Sequence, residues 1–496
     1  MTGRGDSPLP PRAGPVVDAD GHVVEPESAW AALPDRYRPR ISADSAGYEH
    51  VVVGDTEVLA VPLGSLGRPG STFDDPASFR PLADALPGGS DPRARLRDMD
   101  GEGIDQAVLY PTIGLYFPLV EDPASAVALA AAYNDWLAGY CAADPRRLFG
   151  AAMLPLQDPV AAGRELRRAV TELGLVAGFV RPNPCLGRSL SDRAYDVLWE
   201  AAEELDVPIG VHEGSSVGVP TLGSDRPFNP LLLHAVSHSF EAMLACAQLI
   251  AFGTLERHPR LRVLFLESSG GWVPFWLERL DEQAESFGGF CPDMALRPSE
   301  YFARQCAISF EVDEQTLPAL VPFVGERRVV WGSDYPHHDA TFPGAVEAIR
   351  STVAPCATAT QVHVLGLNAR QHYRLPSRRT GLPGLLDDYF TAVTAQEIDL
   401  VRALFAPDAV FESGDIRLQG LDAICGYYLS KTFTYADFRP APRTPTFEGR
   451  RIEVDIDVHL GGAQNTVHDV FETDGTRITA LRVSGFEEAL QGAALS

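Results

Sequence analysis

A single lysine, Lys431, stands in this chain of 496 residues, so chemistry that needs a lysine is excluded from everything before that position. The seven cysteines (Cys141, Cys185, Cys246, Cys291, Cys306, Cys356 and Cys425) are odd in number and widely spaced. No C-x-x-C pair occurs among them, which argues against a zinc knuckle or a redox dithiol and predicts reduced, mostly buried thiols. No apolar run reaches the roughly 20 residues that span a bilayer. The N-terminal run Met1-Thr2-Gly3-Arg4-Gly5-Asp6-Ser7-Pro8 also lacks the apolar stretch of a secretory signal, so a cytoplasmic protein without a membrane partner is expected. Positive charge is scarce as well: 41 Lys and Arg face 67 Asp and Glu, for a formal net charge of −26. The arginines are scattered rather than clustered, which makes nucleic acid an unsuitable partner.

What is present is apolar content and a repeating pattern. A chain of 496 residues with 45% apolar side chains exceeds the size at which single cores stop growing, so two domains are expected. Residues 1–15 are rich in Pro, Gly and Ser and read as a disordered tail. From Val16 onward short β-rich runs alternate with helical patterns. The strand candidates are Val16–Asp20, Gln106–Tyr110, Leu148–Met153, Val176–Val180, Pro208–His212, Arg262–Glu267, Cys306–Phe310 and Arg328–Asp334. Helical spacing is found over Pro92–Glu102, Ala124–Ala142, Val160–Leu173, Asp192–Leu205, Phe240–His258 and Pro274–Ser286. Repeated strand–helix units of this kind predict an α/β fold, a (β/α)8 TIM barrel over residues 16–375. An insertion at Glu27–Pro87, without helical period, is expected to form a flap over its mouth. Residues 376–384 have linker composition. Over 385–496 a helix (Leu385–Leu404) precedes strand patterns at Ala409–Glu412, Arg451–Leu460, Asn465–Thr473 and Arg477–Ser484, which predicts a smaller α+β domain.

Parallel barrels place their chemistry where the C-terminal ends of the strands and the following loops converge. Strand one ends Asp18-Ala19-Asp20-Gly21-His22, and residues two apart share a side of a strand, so Asp20 and His22 face the mouth together. Strand five ends at His212 and strand eight at Gly332-Ser333-Asp334-Tyr335-Pro336-His337-His338-Asp339. Two imidazoles and two carboxylates can hold one divalent ion, with water or substrate completing the shell. Arg181 ends strand four and is a candidate to grip a substrate carboxylate bidentately, or equally a structural ion pair. His337 and His338, just past Asp334, are candidates to orient ligand or substrate.

Asp-x-His on strand one, His on strand five and Gly-Ser-Asp-Tyr-Pro-His on strand eight resemble the amidohydrolase superfamily, in the branch that contains 2-amino-3-carboxymuconate-semialdehyde decarboxylase and related aromatic-acid decarboxylases. The resemblance implies that Asp20, His22, His212 and Asp334 bind the metal, zinc first and manganese second. It also implies a mononuclear site, because the carbamylated lysine of binuclear members cannot form. One departure stands out. Where the branch carries His-Gly-Gly-Gly after strand six, this chain reads Glu267-Ser268-Ser269-Gly270-Gly271-Trp272, which leaves Glu267, His238 and Asp334 as the candidates for proton transfer. Residues 385–496 resemble the cone-shaped nuclear transport factor 2-like fold, in its SnoaL-like, polyketide-cyclase branch, through Leu404-Phe405-Ala406-Pro407-Asp408-Ala409-Val410-Phe411. His459, His468 and Asp469 are its candidate acid/base groups.

The reading that follows is a metal-dependent hydrolase acting on a small carbonyl- or carboxylate-bearing substrate, assembled as a homodimer. A non-oxidative decarboxylase is the second reading. The third is a catalytically silent barrel with isomerase, cyclase or binding function in the C-terminal pocket.

Overall fold

The computed structural model describes residues 14–215, 219–226, 229–486 and 489–490. Most of the N-terminal tail, residues 1–13, lies outside them. The chain divides into two compact units, one formed by Val17–Val353 with Asn368–Leu375, the other by Ala354–Leu367 with the chain from Pro376 onward.

The first unit is a parallel barrel. Its strands are β1 (Val17–His22), β2 (Gln106–Tyr110), β3 (Leu148–Met153), β4 (Ala177–Val180), β5 (Ile209–His212), β6 (Val263–Leu266), β7 (Cys306–Glu311) and β8 (Val329–Gly332), hydrogen-bonded in that order. Nearly every strand residue is buried, as expected for parallel strands covered on both faces. The intervening helices start where the sequence combines a capping side chain with a proline that needs no N–H partner. Asp91-Pro92, Asp122-Pro123, Asp158-Pro159 and Asn229-Pro230 each open a helix, and each cap accepts from a backbone N–H of the first turn. That signal starts one helix at Pro230, ten positions before the apolar period that marks it from Phe240.

β1 and β8 lie at the two ends of the hydrogen-bonded order, and the seam between them is closed by other contacts. Asp334 donates its N–H to Asp20 O (3.1 Å) and His22 to Tyr335 O (2.6 Å). Ser333 donates its N–H and its hydroxyl to the Asp18 carboxylate (2.9 and 2.6 Å). Gly332 is needed here because a Cβ at that position would sit 2.5 Å from Asp20 Cβ. The insertion after β1, expected as a flap without helical period, has a sheet of its own. It contains a three-stranded antiparallel sheet, Arg40–Ala43, Glu49–Val53 and Thr56–Val61, whose short alternating runs carried too little helical or strand period to be read. It then reaches the loop after β8, where Gly70 donates to His338 O (2.7 Å) and Phe73 packs edge-on against the His338 ring, centroids 4.8 Å apart.

The second unit is α+β, as its sequence implies, with more elements than were read. The expected single helix is two, Gly381–Thr394 and Ile398–Leu404, separated where Gln396 takes a positive φ of 55°. The sheet contains β9 (Phe405–Ser413), β10 (Ile416–Gln419), β11 (Arg439–Pro442), β12 (Thr446–Glu448), β13 (Arg451–Leu460), β14 (Ala463–Thr473) and β15 (Ile478–Ser484), in the order β10-β9-β15-β14-β13-β11 with β12 beside β13. β9 pairs parallel to β15 and the remaining pairs are antiparallel.

Substituting Gly332→Ala inserts a methyl group into the barrel seam against Asp20. Overpacking of this kind costs about 1–3 kcal/mol, and a thermal melt of the variant is expected to show a Tm lowered by several degrees. An unchanged Tm would mean that the seam is looser than described.

Candidate metal centre

Asp20 and His22 point together into the barrel mouth, as their spacing on β1 requires, and meet His212 from β5. His22 Nε2 and His212 Nε2 are 3.1 Å apart. Each ring is fixed through its other nitrogen: His22 donates from Nδ1 to Pro111 O (2.8 Å) and His212 from Nδ1 to Glu213 O (2.5 Å). Both Nε2 lone pairs therefore face the same point. Asp20 Oδ1 lies 3.8 Å from His22 Nε2 and 3.5 Å from His212 Nε2, and Asp334 Oδ1 lies 3.5 Å from His22 Nε2. Both carboxylate oxygens are buried without a hydrogen-bond partner. Buried polar atoms are normally satisfied, and the donor atoms here form two groups that share His22, Asp20–His22–His212 and His22–Glu267–Asp334–His337, each with its atoms within 4.8 Å of one another, as the donor set of a divalent cation would be. The residues present thus fit one divalent ion.

Glu267 joins this cluster. It follows β6 with a positive φ of 42°, and Asp334 follows β8 with φ 54°, so both side chains are aimed by left-handed backbone that non-glycine residues adopt rarely. Glu267 Oε2 lies 3.1 Å from His212 Nε2, and Oε1 lies 3.4 Å from His238 Nε2. His238, in the long helix Pro230–Ala251, is buried, as the same-face partner of Glu241 in that helix. Burial pushes Asp20 up to about 7. Burial pulls His212 down, but Asp20 and Glu267 outweigh it and hold the imidazole up at about 9. The neighbourhood therefore favours positive charge at this point.

Arg181 is placed differently from the substrate-gripping role considered above. Its guanidinium is buried and donates to Asn183 Oδ1 (3.0 Å), Leu115 O (2.8 Å), Glu213 Oε1 (2.6 Å) and Gly214 O (2.6 Å). It ties the loops after β2, β4 and β5 to each other, and no free fork remains for a ligand. His337 is also engaged through both nitrogens. Nε2 is 2.8 Å from Thr112 Oγ1 and Nδ1 is 2.6 Å from Asp334 Oδ1, so the ring packs against Asp334. His338 does reach the mouth, in a group with His234 and Asp339: His234 Nε2 is 3.2 Å from Asp339 Oδ2, and His338 Nδ1 is 3.3 Å from Asp339 Oδ1.

Several residues that shape the centre were not read from the sequence. Glu25 is buried and accepts from the N–H groups of Thr112 (3.2 Å), Ile113 (2.8 Å) and Gly114 (2.9 Å), which fixes the loop that carries Thr112. Thr112 in turn donates to Val23 O (2.6 Å) and meets His337. Nothing in the run Val23-Val24-Glu25-Pro26 marks this role. In the second unit, Asp469 is buried, whereas His468 hydrogen-bonds Asp455 (2.8 Å) on the other face of the strand and His459 alternates with the buried Val458 and Leu460. Those two histidines do not share a pocket with Asp469.

The amidohydrolase family profile matches residues 17–375, and a SnoaL-like domain profile matches residues 386–481. The chain is 30% identical over 282 residues to 2-amino-3-carboxymuconate-6-semialdehyde decarboxylase of Dictyostelium discoideum, covering 56% of this chain and 75% of that protein. It is 29% identical over 297 residues to gamma-resorcylate decarboxylase of Rhizobium radiobacter, covering 57% of this chain and 87% of that protein. Among solved structures, 5-carboxyvanillate decarboxylase of Sphingomonas paucimobilis superposes with a TM-score of 0.56 at 26% identity, over 73% of this chain and 99% of that one. A dihydroxybenzoic acid decarboxylase of Polaromonas, solved with manganese bound, shares the fold with a TM-score of 0.54 at 21% identity, over 74% of this chain and 98% of that one. Among the described residues no helix is long and apolar enough to cross a membrane.

Elemental analysis of the purified, metal-supplemented protein is expected to find close to one divalent ion per chain, and the His212→Ala and Asp20→Ala variants, folded by circular dichroism, are expected to lose it. Full retention in both variants would place the ion elsewhere.

Proposed function

The chain belongs to the amidohydrolase family, and from that premise we propose that its barrel is a metal-dependent decarboxylase that removes carbon dioxide, without an oxidant, from an aromatic or unsaturated carboxylic acid. The hydrolase that the ligand pattern first suggested gives way. The same four donors serve water activation and carboxylate polarisation alike, and the similar proteins described above are decarboxylases. The observation that carries the reading is a pair of donor groups that share His22, one with Asp20 and His212 and the other with Glu267, Asp334 and His337, with His238 beside Glu267.

Asp20, His22, His212 and Asp334 would hold the ion. When bound, a divalent cation there supplies Lewis-acid polarisation of the substrate's oxygens. We assign manganese ahead of zinc. The addition of Glu267 brings three carboxylates to the cluster, and carboxylate-rich sites suit manganese, whereas closed zinc sites favour four nitrogen or sulfur donors. A manganese ion in the Polaromonas decarboxylase points the same way.

Replacing a carboxylate by hydrogen requires one proton at the carbon that loses carbon dioxide. The electrons of the broken C–C bond stay with that carbon and take up the proton. Glu267 sits between His212 and His238, at the place the resembled branch gives to histidine, and the Glu267–His238 pair carries the proton toward the centre. His337, held by Thr112, keeps Asp334 aimed inward. His338 and its neighbour His234 line the mouth and are the groups that meet the substrate's polar substituents in place of Arg181.

The test is product analysis. The manganese-loaded protein, incubated with gamma-resorcylate, 5-carboxyvanillate and related hydroxybenzoates, is expected to release carbon dioxide and the matching phenol from at least one of them. Glu267→Gln is expected to lower kcat by about 10²-fold or more, the range of a lost proton-transfer group, while keeping its metal. Hydrolysis of esters, amides or lactones without release of carbon dioxide from any acid of the panel would overturn the reading.

A further inference from the structure

A second group of metal-ligating side chains stands at the barrel mouth, separate from Asp20, His22, His212 and Asp334. His234 comes from near the start of the helix Pro230–Ala251, and His338 and Asp339 come from the loop after β8. His234 Nε2 lies 3.2 Å from Asp339 Oδ2, and His338 Nδ1 lies 3.3 Å from Asp339 Oδ1. The donor atoms of all three residues lie within 4.8 Å of one another. The insertion after β1 anchors this loop, since Gly70 donates to His338 O (2.7 Å) and Phe73 packs edge-on against the His338 ring. His338 Nδ1 is buried without a hydrogen-bond partner among the described residues. Buried polar atoms left so are rare in folded chains.

Spacing and donor type point to one kind of ligand. An ion bonded to nitrogen and oxygen at about 2.0–2.1 Å holds its ligand atoms about 3.3 Å apart in a tetrahedron. Asp339 stands at that separation from both histidines. Two imidazoles and one carboxylate are the protein donors of open zinc sites, in which water fills the fourth place, and nitrogen donors hold zinc more tightly than manganese. We propose that His234, His338 and Asp339 form a second cation site, selective for zinc over manganese, that ties the start of the long helix to the loop after β8. The three side chains are 45%, 24% and 38% exposed, so solvent reaches the ion and it leaves on desalting, whereas the buried centre keeps its own. Zinc binding here goes beyond the decarboxylase reading and does not depend on it.

Calorimetric titration of the full chain with zinc chloride and with manganese chloride tests this in a His212→Ala background, after elemental analysis has shown whether the buried ion is gone. Zinc is expected to bind at one site per chain, at least tenfold more tightly than manganese. His338→Gln and Asp339→Asn, each added singly to that background, are expected to weaken zinc at least tenfold. No zinc binding, or equal affinity for the two ions, overturns the proposal. So does zinc binding that both substitutions leave unchanged. In that event weakening by His234→Gln places the ion with His238 and Glu267, the other donors near His234, and no weakening places it among the strand-end residues. If one variant fails to fold by circular dichroism, the other decides. A barrel that releases no carbon dioxide leaves the zinc site standing, and absence of the zinc site leaves the decarboxylase reading untouched.

Discussion

Two imidazole nitrogens, His22 Nε2 and His212 Nε2, are pinned 3.1 Å apart inside a group of buried carboxylates. Neither ring can turn away, because each Nδ1 is committed to a backbone carbonyl. Two ring nitrogens held this close take either a proton or a metal cation between them, and the rest of the barrel mouth is arranged around that point. The β1–β8 seam keeps Asp20 and Asp334 within reach, Gly332 leaves room for Asp20, and the Glu25–Thr112–His337 chain of contacts holds Asp334 from behind.

Alternation along β1 was enough to pair Asp20 with His22, because a period of two is a local property of the chain. The strand count, and the positions of His212 and Asp334 at strand ends, were legible for the same reason. Arg181 was not. Its partners Leu115, Glu213 and Gly214 come from other loops, and only the folded chain brings their acceptors together around the guanidinium. Glu25 stayed hidden because a carboxylate that accepts backbone N–H groups leaves no pattern in sequence. In the second unit the register of β14 decided the matter: one residue separates His468 from Asp469, and they lie on opposite faces. The sheet inside the insertion after β1 left no mark in the sequence because its strands are short and their periods weak.

The ligand set and the reaction are separate questions. Asp, His, His and Asp around a cation suit hydrolysis and decarboxylation equally, so the residues that distinguish them lie next to the ligands. The residue proposed for that part is Glu267, at the place where the resemblance implies histidine. A carboxylate between two imidazoles is a different proton carrier from an imidazole, and its charge adds to a cluster already rich in acid.

The most direct test of the account is to run the manganese-loaded protein on a hydroxybenzoate substrate in D2O and to examine the recovered phenol by proton NMR and mass spectrometry. The account predicts one solvent deuterium at the ring carbon that carried the carboxylate, for each carbon dioxide released, with formation of this product lost in the His212→Ala variant. A recovered acid that has undergone hydrolysis elsewhere, with its carboxylate in place and no deuterium at that carbon, would contradict it.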